Sequence, residues 1–159
     1  MTRTSGLPLG VWIIIIFHIF SLVIWFFGQS VAVVDYDKVA SWGLQDPRAL
    51  VDPTIVEVNR AIGLTDTIVM LPLFIVAVIG LFRRRFYGAI ASWLAFGMTL
   101  YWPVMFWCSQ YFYSAAGINH APTQLSTIII PGALFLIACW GSWYLGRNRG
   151  LFNEHSDGR

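Results

Sequence analysis

Four apolar runs, at residues 9–34, 64–82, 87–113 and 123–145, constrain this chain more than any other feature. A helix rises 1.5 Å per residue, so about 20 apolar residues cross the ~30 Å of a bilayer's hydrocarbon. Each run reaches that length, and no ten-residue alternating segments suggest a barrel. Only 11% of the 159 residues are charged, against about 25% in ordinary soluble domains. The chain therefore reads as all-α: a single integral membrane four-helix domain over residues 1–159, antiparallel, with an ordered loop at 35–63 between the first two spans. The first run, from Leu9 to Phe27, exceeds a signal peptide's apolar core and contains Trp12, His18 and Trp25. It is expected to stay as a span despite the small residues Ser30-Val31-Ala32 that follow.

The basic residues set an expected orientation. Arg3, Arg83, Arg84, Arg85, Arg147, Arg149 and Arg159 fall on one side if both termini share it. The other side mixes Lys38, Arg48 and Arg60 with Asp35, Asp37, Asp46, Asp52 and Glu57. The positive-inside rule then places both termini in the cytoplasm of a bacterial-type inner or plasma membrane. The long loop faces outward, as a small helical cap. Asp46-Pro47 and Asp52-Pro53 each read as an N-cap followed by proline at the first helical position. Gly43 is suited to end a short helix before them. The helix begun at Pro53 is expected to continue through the second span, about 30 residues in all, with Pro72 kinking it.

Polar residues gather at one level near the outer boundary. Trp25 lies ~24 Å above the start of its helix, and Asp66 and Trp102 ~22 Å above the inner ends of theirs. His18, Ser21, Trp25 and Gln29 share a face of the first helix; Asn59, Gly63, Asp66 and Met70 share one of the second; Trp102, Phe106, Gln110 and Tyr113 share one of the third. Ionisable groups inside a membrane are functional candidates by default. The expected ligand site is an outward pocket floored by His18 and walled by Trp25, Asp66, Tyr101 and Trp102. Its rim is Gln29, Asn59, Arg60, Gln110 and His120. The plainer alternative is interhelical packing plus an aromatic belt, to which Tyr111, Tyr113, Trp140, Trp143 and Tyr144 are assigned. Ala91, Ala95 and Thr99 form a small-residue stripe suited to close helix contact, within the bundle or between subunits.

Several chemistries find no residues to carry them. Only His18 lies within a span, so paired axial haem ligands are missing, and no CxxCH occurs. No zinc spacing, Walker loop or Ser-His-Asp set appears. Cys108 and Cys139 are expected to be buried small hydrophobes. The net charge of +2 does not suggest nucleic acid. No metal is expected, and no cofactor is indicated. Arg60-Ala61, Asp66 and Pro72 resemble, over 13 residues, the second-helix pattern of the eicosanoid and glutathione membrane enzymes (the MAPEG class). Those are also four-helix proteins of this size. Leu64 stands where that pattern has Asn, the spacings to the acid and the proline differ, and the charge rule puts this loop away from cytosolic glutathione.

Two functions follow as expectations. The first is a non-enzymatic membrane module. It would be an accessory subunit of a larger membrane complex or homo-oligomer, or a binder of lipid or another small ligand. The second is a membrane enzyme on a lipid or quinone-like substrate, with Asp66 and His18 as acid and base.

Overall fold

The computed structural model describes residues 6–152, which are helical throughout their ordered elements, with no strand among them. Helix α1 covers Leu9–Val34 and is interrupted by a π-helical turn at Phe26–Ser30. A short α2, Tyr36–Ser41, and a 3₁₀ turn, Arg48–Leu50, follow. Then come α3, Pro53–Phe82, α4, Phe86–Ala116, and α5, Ser126–Arg147. Helices α1, α3, α4 and α5 have 26, 30, 31 and 22 residues, long and apolar enough to cross a membrane. Arg3 and Arg159, two of the residues that set the expected orientation, lie outside the described residues.

Local signals explain several boundaries. The Asp52 carboxylate accepts the Thr54 N–H at 2.8 Å, with Pro53 opening α3. This satisfies one of the donors a helix start leaves unpaired. Past the end of α2, Gly43 takes φ +73° and its N–H bonds the Ala40 carbonyl at 3.0 Å. Asp46-Pro47 differs from the expected N-cap: Pro47 leads only into a three-residue 3₁₀ turn with no side-chain cap. A turn that short cannot propagate, because Val51 is already extended and buried, and Asp52 N–H bonds the Asn119 carbonyl at 2.8 Å.

The burial pattern differs from that of a soluble bundle, because apolar side chains cover the outside as well as the core. His18, Ser21, Asp66, Ser92 and Thr99 are buried, while Ile16, Ile68, Leu94 and Leu136 are each more than half exposed. A helix in water hides its apolar face; exposed aliphatic surface on every long helix fits a lipid surround. Cys108 and Cys139 depart from the expected burial. Both are exposed, because in lipid an outward position costs a small apolar side chain nothing. Tyr111 and Trp143 are also exposed.

The helices alternate in direction, so Leu9, Phe82, Phe86 and Arg147 lie at one end, here the basic end. There α3 and α4 meet backbone to backbone at Gly80 and Gly88, where a Cβ on either would overlap the other helix. Such contacts replace the hydrophobic driving force that helices lack in lipid. The stripe Ala91, Ala95 and Thr99 is buried within this bundle. Val11, Ile14, Ile15, Leu81, Phe96, Ala138 and Leu145 fill the basic half. Toward the other, distal end, Gly63 of α3 sits against α1; a Cβ there would lie 2.7 Å from the Gln29 carbonyl. Helix α2 packs on the ends of α1 and α3 through Tyr36, Val39, Ile55 and Val56.

Candidate functional site: a cavity at the distal end

Helix α5 leans on α1 at the basic end, where Tyr144 covers Gly10. At the distal end, Trp25 and Gly28 of α1 and Pro131 and Leu134 of α5 instead line a cavity of about 410 Å³. That volume is within the range of small-molecule sites, ~300–1,000 Å³. Helix α4 contributes Trp102, Phe106, Ser109 and Gln110, and the α2–α3 connection contributes Gln45 and Asp46. Ile24 and Ile130 line the space yet are 36% and 59% exposed. The lining therefore reaches the apolar outer surface at both α1 and α5.

The π turn shapes one wall. It adds a residue to a helical turn, so Val31 N–H bonds the Phe26 carbonyl five residues back. The Gly28 carbonyl accepts Gln45 Nε2 at 3.1 Å, and Gln45 Oε1 accepts Asn59 Nδ2 at 3.4 Å. This relay ties α1 to the connection and to α3. The same turn carries Gln29 into the cavity lining. Such π turns are frequent at functional sites.

Behind this wall, Trp25 Nε1 donates to Asp66 Oδ2 at 3.2 Å, and both residues are buried. The Trp25 ring meets Trp102 edge-on at 6.1 Å, and Trp102 stacks on Phe106 at 5.6 Å with 12° between planes. Three helices thus place Trp25, Asp66 and Trp102 at one level.

The lining is polar in places but, among the described residues, contains neither Lys nor Arg. The Oε1 atoms of Gln29 and Gln110 are buried without a hydrogen-bond partner. Leaving such a group unpaired costs about 1–3 kcal/mol. Burial pushes the Asp46 carboxyl above its ordinary range, and the nearby His120 pulls it back. His120 Nε2 lies 2.8 Å from Ser114 Oγ and 3.2 Å from the Gln110 carbonyl.

Of the residues expected to form the site, Trp25, Asn59, Trp102, Gln110 and His120 line the cavity, as does Gln29. Four do not. Asp66 sits behind Trp25. His18 is fully buried among Phe17, Phe74 and Phe96, deeper than the cavity, with neither ring nitrogen hydrogen-bonded. Tyr101 is 60% exposed: one step along the helix from Trp102 rotates it about 100° to the outer surface. Arg60 donates from Nε and a terminal nitrogen to the Val33 carbonyl, at 3.2 and 2.9 Å, and pairs with Glu57 at 2.8 Å. It closes the end of α1 instead of facing a ligand. Gln45, Asp46, Ser109 and the π turn were not legible as site elements. The 102, 106, 110, 113 spacing put Phe106 and Tyr113 on the face of Trp102, and both line the space, Tyr113 against its assignment to the aromatic belt.

No family model, curated protein or solved structure matches the chain.

Proposed function

We propose that this chain is a non-enzymatic membrane module that holds a small amphipathic molecule, drawn from the lipid, in the distal cavity. The observation that carries the reading is the cavity itself: aromatic and aliphatic walls, two glutamines with unpartnered oxygens, and a lining that reaches the apolar surface at α1 and α5. An occupant can leave its chain in lipid and place its polar head among the amides. The distal end faces outward from a bacterial-type inner or plasma membrane, with both termini cytoplasmic, as the arginine distribution favours. In that setting the α2–α3 connection caps the cavity on the outer side. Such a module can serve alone or as an accessory subunit of a larger complex. The alternative, in which Asp66 and His18 act as acid and base on a lipid or quinone-like substrate, has less behind it, since neither residue lines the cavity.

Native mass spectrometry from mild detergent tests the reading. Wild-type protein is expected to retain a small-molecule adduct, and Ser109→Trp, which puts an indole into the cavity, to lose it while keeping its thermal transition. An adduct equally retained by both proteins, or by neither, contradicts the proposal.

A further inference from the structure

The geometry points to an uncharged amphipath with a hydroxyl-bearing head as the occupant of the distal cavity. This rests on the binding reading above and names the chemistry of its ligand.

Charge comes first. An anionic head, such as a phosphate, entering this space meets no Lys or Arg in the lining, and it meets the carboxyl of Asp46. A desolvated ion without a counter-charge is strongly disfavoured. A cationic head fares little better. Among the described residues Asp46 is the only acid in the lining, and it already has His120 beside it. A buried cation needs a committed anionic partner together with further hydrogen bonds.

Hydrogen bonding then narrows the neutral candidates. Gln29 on α1 and Gln110 on α4 line the cavity, each with an unpartnered amide oxygen. A side-chain amide carries an acceptor and two donors, and turning it over exchanges them. Two such groups are best matched by a head that both donates and accepts, which is the property of a hydroxyl. An ester or ether oxygen only accepts. The stacked Trp102 and Phe106 rings supply a flat apolar wall for the part next to the head. At Ile24 and Ile130 the lining reaches the apolar surface, where the rest of the molecule can stay in lipid. A diacylglycerol-type lipid and a long-chain quinol share this chemistry.

The test uses the full chain in phosphatidylcholine nanodiscs doped separately with diacylglycerol, a long-chain quinol, triacylglycerol or phosphatidylglycerol. Occupancy is read by native mass spectrometry. One or both hydroxyl probes are expected to bind at least about tenfold more tightly than triacylglycerol, the equivalent of ~1.4 kcal/mol, or one good hydrogen bond. Phosphatidylglycerol is expected to be excluded. Gln29→Leu and Gln110→Leu should each lose about tenfold in affinity for the preferred probe. They should leave the melting temperature of the empty protein unchanged or raised, because each removes an unpaired buried amide. A lowered melting temperature with unchanged affinity would make these glutamines structural and overturn the proposal. Triacylglycerol binding as tightly as the better of the two hydroxyl probes, or preference for phosphatidylglycerol, would overturn the hydroxyl specificity and leave cavity binding standing. Retention of no probe would overturn both. The probe comparison needs only wild-type protein, so it decides the matter even if a variant fails to fold.

Discussion

Trp25 and Asp66 form a buried side-chain pair that joins α1 to α3 through a charge-capable group. The indole N–H is a donor only, so it needs the acceptor that Asp66 supplies. Asp66→Asn keeps an oxygen in that place and should fold like the wild type. Asp66→Leu leaves the indole N–H unpaired in the interior and should cost about 1–3 kcal/mol. Thermal denaturation of the three proteins in one detergent checks this; equal transitions for Asn and Leu would mean that the bond contributes nothing. His18 shows the opposite economy. Both its ring nitrogens lack partners, and its ring packs against Phe96 at 4.9 Å. It behaves as an aromatic packing residue, which is why its polar identity misdirected the sequence reading toward a pocket floor.

At the scale of elements, close backbone contact holds the helices where lipid supplies no hydrophobic drive. Gly88→Ala inserts a Cβ into the backbone of Gly80. Overpacking of this kind costs about 1–3 kcal/mol. Gly97 has nothing within 4 Å of the position a Cβ would take. Gly97→Ala should therefore be neutral or slightly stabilising, by up to about 1 kcal/mol. Comparing the two thermal transitions separates contact from helix propensity, and equal effects would rule out the contact. The same contrast explains what was legible. Length and apolarity reveal a span whatever its neighbours, so α1, α3, α4 and α5 could be read directly. The Asp52 cap and the Pro53 start could be read too, being local. The Phe26–Ser30 π turn could not, since nothing in Phe-Phe-Gly-Gln-Ser distinguishes it from a continuous helix. Outward positions such as Tyr101, Cys108 and Cys139 were misread because apolar residues face both lipid and core. Arg60 was misplaced because its partner is a backbone carbonyl, which leaves no trace in the sequence.

For the whole molecule, the governing asymmetry is between the two ends. The basic end is closed by the Gly80–Gly88 contact and by Tyr144 on Gly10. The distal end is held open around a cavity. If the basic end faces the cytoplasm, a single cysteine at Asn119, in a background lacking Cys108 and Cys139, should react with an impermeant maleimide added outside intact cells. A single cysteine at Asn148 should not. The reverse pattern would invert the orientation.

The central claim is that a lipid-phase molecule places its head between α1, α4 and the α2–α3 connection. Photo-crosslinking in nanodiscs, with a diazirine beside the head of whichever hydroxyl probe, diacylglycerol or quinol, binds more tightly, tests this most directly. Peptide mapping is predicted to find label concentrated on Gly28–Gln29, Gln45 and Trp102–Gln110, and lost from all three in Ser109→Trp. Label spread along outward residues such as Ile16, Leu94 and Leu136, unchanged by that substitution, would contradict the account.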